Sequence, residues 1–308
     1  MMVNKTSFKF HRNLIFVGMI LASLTLVSCS TSGSEDGSRG TVVELDYSSI
    51  SAGPKITAFE IGPSIGLTEY GEFYASVKLE NQGSQDLSSG EIIVSAAADS
   101  KLIEWNNQKT SQIELQGYNL ENVAVDFEIF NFEGLINEIP IEMSEMPVTF
   151  FVEANFRYTT ELEQEVCINP STFENVHGNC ENPTSTVFAE SQYSPVVIRN
   201  FEQEVSGLFG KAYFTFHIEN QGEGKIEEIS LAHAQLTSEE MNCKFITGEG
   251  EANGNIYTFA NGEKTVDLLC DYNFDPNSAA FEKILYLDFS YDYSLQEQER
   301  VVIRSAIG

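Results

Sequence analysis

Apolar and polar residues alternate along most of this chain. Over 73–80, Phe73, Ala75, Val77 and Leu79 fall on one side, and Tyr74, Ser76, Lys78 and Glu80 on the other. The segment 212–219 keeps the same phase, with Ala212, Phe214, Phe216 and Ile218 set against Tyr213, Thr215, His217 and Glu219. A period of two describes a β-strand with one buried face, because successive side chains leave the pleat on opposite sides. Val152, Ala154, Phe156 and Tyr158 repeat the pattern, as do Leu287, Phe289, Tyr291 and Tyr293. Each of these late strands runs into a short polar stretch and then a further strand, 164–168 or 299–304, which predicts a hairpin. Other strands are predicted over 91–97, 101–105, 112–115 and 123–130, and over 226–235, 244–247, 256–259 and 265–273. Long helical periodicity is absent. One short helical turn is predicted where Thr237 and Glu240 make a capping-box pattern.

The chain also repeats itself. YASVKLENQG at 74–83 matches YFTFHIENQG at 213–222, with Tyr, Glu, Asn, Gln and Gly identical. Upstream, Phe59-Glu60 corresponds to Phe201-Glu202, with a loop three residues shorter in the second copy. Downstream, 148–168 aligns on 283–303 without a gap. Three matched blocks in one order indicate a duplicated domain of about 110 residues. The first copy covers 54–168 and the second 195–308, with a proline-containing connector at 169–194. Around seven short strands per copy, separated by Gly, Asn and Ser turns, predict an all-β fold of two tandem immunoglobulin-like β-sandwich domains. In the recurring Asn-Gln-Gly turn, Gly83 and Gly222 are expected to take positive φ, and Asn81 and Asn220 to bond their own turn.

The block of alternating strand, Glu-Asn-Gln-Gly turn and recurring late strand resembles the CARDB type of domain. These are immunoglobulin-like modules found in tandem on bacterial and archaeal surface proteins. The resemblance covers both copies, and the arrangement also resembles uncharacterised archaeal lipoproteins. It implies a surface module associated with cell adhesion, and it supplies no catalytic residues.

The first 28 residues read as an address. Lys5, Lys9 and Arg12 precede an uncharged run at 14–27. Spanning a bilayer takes about 20 apolar residues, so this run is short for a permanent anchor and suits a signal-peptide core. It ends in Leu26-Val27-Ser28-Cys29, which resembles the lipobox of prokaryotic lipoproteins. That resemblance implies cleavage before Cys29 and acylation of its thiol. Each buried methylene of the lipid contributes about 0.8 kcal/mol, so two chains hold firmly. Residues 29–53 then form a tether, beginning with the Gly/Ser-rich STSGSEDGSRG. The expected location is the outer side of the cell membrane, held by lipid.

Lipidation of Cys29 accounts for one of five cysteines and leaves Cys167, Cys180, Cys243 and Cys270 in an oxidising setting. Four cysteines allow three pairings. The nearest-neighbour pairing, Cys167 with Cys180 and Cys243 with Cys270, is expected because it keeps each bridge local. A metal set of Cys167, His177 and Cys180 falls short of a structural zinc site.

Charge narrows the partners. The chain carries 46 acidic and 17 basic side chains, a net charge of −29. Removing 1–28, which holds three bases and no acid, leaves −32. Nucleic acid and anionic membrane surfaces would be repelled. A 42% hydrophobic content excludes a disordered acidic tail.

Candidate chemistry is sparse. Gly62-Pro63-Ser64-Ile65-Gly66 matches G-x-S-x-G, but a nucleophile elbow needs a parallel strand before it and a helix after it. A turn is expected instead. His11, His177, His217 and His233 have no neighbouring Ser or Cys in a nucleophilic arrangement and are expected to be solvated. Asp267, Asp271 and Asp275 recur every four residues without EF-hand spacing, and the acidic surface leaves weak divalent-cation binding as an expectation. Phe156, Tyr158, Tyr286, Tyr291 and Tyr293 are expected in the core rather than in a sugar platform. No cofactor is implied. The functional expectation is a non-catalytic surface lipoprotein for adhesion or protein interaction. The alternatives are an accessory subunit of an envelope complex and, more distantly, a carboxylate-dependent hydrolase.

Overall fold

The structure is a computed structural model that describes residues 53–98, 101–106, 109–118, 124–170, 180, 182, 185–187 and 193–306. The leader, Cys29, the tether up to 52, His11 and His177 lie outside the described residues.

The first copy contributes Pro54–Gly62 (β1), Leu67–Thr68 (β2), Glu72–Asn81 (β3), Leu87–Ala97 (β4), Ile103–Trp105 (β5), Thr110–Leu115 (β6), Asp126–Ile136 (β7) and Glu145–Ile168 (β8). Ser185–Val187 (β9) lies in the connector. The second copy contributes Val196–Ser206 (β10), Lys211–Asn220 (β11), Lys225–Leu236 (β12), Glu239–Glu240 (β13), Asn242–Thr247 (β14), Glu251–Asn253 (β15), Ile256–Thr258 (β16), Thr265–Asn273 (β17) and Phe281–Arg304 (β18). One 3-10 turn, Gly207–Phe209, is the only helical element among the described residues. The fold is all-β.

The sheets show how the copies meet. β1-β3-β7-β5 form a sheet from the first copy, and β14-β17-β11-β10-β9 one from the second copy and the connector. The third sheet belongs to both: its order is β15-β16-β12-β18-β8-β4-β6, with β13 paired to β12 and β2 to the end of β18. At its centre β8 and β18 pair antiparallel from Glu145↔Arg304 to Ile168↔Phe281 without a register shift. Each strand is 24 residues long, so the shared sheet extends roughly 75 Å. Alternate residues from Val148 to Leu162 and from Leu285 to Leu295 are buried under the two smaller sheets. The residues between them form an outer face in solvent.

The predicted hairpins do not form. The stretch 159–165 holds no Gly, Pro or Asn to turn on, and Thr160, Leu162 and Val166 continue the inward phase. The strand therefore runs straight on, and the place beside β8 where a hairpin partner would sit is taken by β18. Each long strand thereby finishes the other copy's core. Ile303 packs with Leu67, Phe73 and Phe150 of the first copy, while Leu162 and Val166 join the cluster containing Val196 and Phe201. The helical turn predicted at Thr237–Glu240 is also replaced. Leu236 pairs with Glu239 across a two-residue turn, with Thr237 at φ 61°.

Arg157 and Asp292 occupy equivalent places in the two copies and are also cross-strand partners, so an approximate two-fold axis passes between them. Tyr158 and Tyr293 are the equivalent residues beside it. The Tyr158 hydroxyl accepts the Gln85 N–H at 3.2 Å, and that of Tyr293 accepts the Gly224 N–H at 2.6 Å. In the same turns Asn81 Oδ1 accepts from Gly83 N and Asn220 Oδ1 from Gly222 N, both at 3.1 Å. The asparagines thus bond their own turns. Gly83 and Gly222, however, are not among the residues at positive φ. A Cβ on either would lie 2.0 Å from the tyrosine hydroxyl, so the glycine makes room for the phenol.

Burial pushes the hydroxyls of Tyr158 and Tyr293 up to about 12, and that of Tyr291 well above its usual value. An unfolded tyrosine titrates near 10, so the folded state holds these protons more tightly. The resulting stabilisation is intact below about pH 10 and is lost as pH rises through about 12. Denaturant titrations at increasing pH should show stability falling only in that window, with tyrosinate absorbance from these residues appearing together with unfolding. Ionisation of all the tyrosines at pH 10 in a folded protein would contradict this.

Candidate binding groove on the shared sheet

The outer face of the shared sheet is built from the polar half of each alternating pattern. Glu153, Asn155 and Arg157 face outward on β8, opposite Gln296, Ser294 and Asp292 on β18. Glu91 on β4 is the cross-strand neighbour of Asn155, and Gln112 on β6 that of Glu91. On the far side Glu228 on β12 faces Thr258 on β16. Together these residues line an open groove of about 760 Å³ that crosses the strands at the two-fold axis. That is within the span of about 300–1,000 Å³ common for ligand clefts.

Its electrostatics are uneven. Glu91, Glu153, Glu227, Glu228 and Asp292 face it with only Arg157 and Lys225 as cations. Both cations are engaged: Arg157 Nη2 donates to Ser290 Oγ at 3.0 Å, and Lys225 Nζ to Glu227 at 3.4 Å. Glu153 accepts from Asn155 Nδ2 at 2.9 Å. Among the described residues the side-chain carboxylates of Glu91, Glu228 and Asp292 make no hydrogen bond or ion pair. The Ser294 hydroxyl oxygen is buried in the groove with no partner. No aromatic ring is presented there, since Phe156 and Tyr293 line it from strands whose rings point into the core.

The residues singled out from sequence lie elsewhere. Cys167 is bonded to Cys180, with Cα atoms 5.8 Å apart, and Cys243 to its cross-strand neighbour Cys270. Both thiols of the supposed metal set are therefore consumed. Ser64 sits in a tight turn closed by Gly66 N–H to Pro63 C=O at 3.0 Å, followed by the two-residue β2 rather than a helix. His217 is half-buried, with Nδ1 2.8 Å from Asp267, and His233 is exposed on β12. Asp271 accepts from Asn242, and Asp275 caps the turn at Asn277. Among the described residues no three His, Cys, Asp or Glu side chains converge as a metal site. Phe156, Tyr158, Tyr291 and Tyr293 are core residues, but Tyr286 has the opposite parity and stands half-buried on the outer face. The groove residues were visible in the sequence only as the polar partners of core positions. Cross-strand register alone brings them together.

The fold and groove define a class: an all-β sandwich protein whose two repeats share one sheet, with a polar, acidic trough across it. In comparison with known families and with characterised proteins, no family model and no characterised sequence matches the chain.

Proposed function

We propose that this chain is an exported, lipid-anchored, non-catalytic binding protein of CARDB-like, immunoglobulin-like repeats, serving adhesion or protein interaction at the cell surface. The observation that carries this reading is the open, polar groove on the outer face of the shared sheet. Gly53 lies against Pro195, so both repeats begin near the two-fold axis, in the layer of the two smaller sheets. The groove is on the opposite side of the shared sheet. The two disulfides support an oxidising location outside the cytoplasm.

A second reading, an accessory subunit of an envelope complex, draws on the ends of the shared sheet. Ile65 and Ile141 are about nine-tenths exposed at one end, and Leu208 and Phe209 stand exposed at the other. Two measurements test the proposal. In fractionated cells Cys29→Ser should move the protein from the membrane to the soluble exported fraction, and retention on the membrane would remove the lipid anchor from the reading. Crosslinking on native membranes followed by mass spectrometry separates the roles. One envelope protein recovered in near-equal amount makes the chain a subunit, and capture of partners only when foreign surfaces are added makes it an adhesion module.

A further inference from the structure

We infer that the groove across the two-fold axis is the docking site for an extended, lysine-bearing polypeptide segment. The inference rests on the binding-protein reading above and specifies its partner. The charge comes first. Glu91, Asp292 and Glu228 are spread from one flank of the groove to the other, and among the described residues none of their carboxylates makes a hydrogen bond or ion pair, although Arg157 stands across from Asp292. Lys225 is paired with Glu227, and Arg157 donates to Ser290 while keeping its charge, so five carboxylates face two cations. A cationic ligand meets an excess of three negative charges there, whereas an anionic one is repelled.

Shape and hydrogen bonding then choose among cations. The lining runs over β6, β4, β8, β18, β12 and β16 in sheet order, a width of about 24 Å at the usual strand spacing. A chain laid along it spans several residues at about 3.4 Å each, far more than a small amine would cover. The absence of a presented ring leaves nothing to cage a methylated ammonium or stack on a sugar. Between the carboxylates stand the amides of Gln112 and Gln296 and the buried, unpartnered hydroxyl of Ser294. The two amides offer both donors and acceptors to a peptide backbone. Lysine brings a compact ammonium on a long flexible stem, which reaches single carboxylates set apart across the groove.

The test uses the full chain in detergent and a dye-labelled, capped peptide of alternating lysine and serine, followed by fluorescence anisotropy at fixed salt. The wild-type protein should bind it saturably. Substituting Glu91→Gln, Glu228→Gln and Asp292→Asn together should weaken binding by about tenfold or more. A control that removes as many charges elsewhere, Glu204→Gln, Glu251→Gln and Glu297→Gln, should change it by less than about threefold. Acetylating the peptide lysines should abolish binding, and spermidine should compete only weakly. Equal losses in the two triple variants would reduce the effect to the overall negative charge and overturn the site. So would the absence of saturable binding, undiminished binding of the acetylated peptide, or competition by spermidine at the peptide's own affinity. Partners recovered by crosslinking equally from wild type and groove variant would remove the groove while leaving the binding-protein reading in place.

Discussion

Ile303→Asp is expected to unfold the distal core of the first repeat, although residue 303 belongs to the second. Its side chain is fully buried among Leu67, Phe73, Ile136, Val148 and Phe150. The residues after it are held there as well. The buried Glu69 carboxylate accepts the Ile139 N–H at 3.0 Å, and the Ser305 hydroxyl and Ala306 N–H at 3.1 Å. An unpaired carboxylate at 303 would cost about 4 kcal/mol, a large share of the stability of an ordinary domain. Hydrogen exchange locates the damage. Amides of β3, β7 and the first half of β8 should lose roughly a thousandfold in protection, while those of β11 and β17 keep theirs. Val166→Asp, in the strand that crosses the other way, should reverse the pattern. Protection lost evenly across both repeats after either substitution would show that the strand exchange does not divide the core in this manner.

Gly222→Ala is expected to destabilise by about 2–3 kcal/mol, a large effect for one methyl group on a turn. The added carbon would stand 2.0 Å from the Tyr293 hydroxyl, a contact relieved only by pushing the ring out of its buried site and breaking its bond to Gly224 N. Tyr293→Phe alone should cost about 1–3 kcal/mol, since it leaves the Gly224 amide without its acceptor. The double substitution should cost clearly less than the two added together, because the phenol is then no longer in the way. Thermal or denaturant unfolding of the four proteins closes the cycle. Were the glycine needed for a left-handed backbone, Gly222→Asn would be tolerated and the cycle would be additive. The same behaviour is expected of Gly83 and Tyr158, where the spacing is also 2.0 Å.

The glycine shows how far local reasoning reaches. Asn-Gln-Gly marks a turn, and the turn is there, with each asparagine bonding as its chemistry allows. The reason for the glycine nevertheless lies some 70 residues away along the chain, in a tyrosine that only the packed sheets bring near. The hairpins fail for a related reason. A polar stretch after an alternating strand can mean a turn or a strand that has left its own core, and 159–165 reads the same in both cases. What separates them is whether a partner strand waits alongside, and β18 does. Tyr286 differs in parity from Tyr291 and Tyr293 on the same strand, and that parity sets it on the outer face.

The all-β character, the course of most strands and the repeated block are legible in the chain alone. A period of two and a repeated block are properties of the chain, and burying one face of a strand requires nothing more specific than an apolar neighbour. Only the tertiary structure decided that the two copies share a sheet, that each completes the other's core, and that a groove lies where they meet. Those outcomes depend on which residues stand opposite one another across β8 and β18. Register is fixed by the sum of many side-chain contacts between distant segments, not by any one of them.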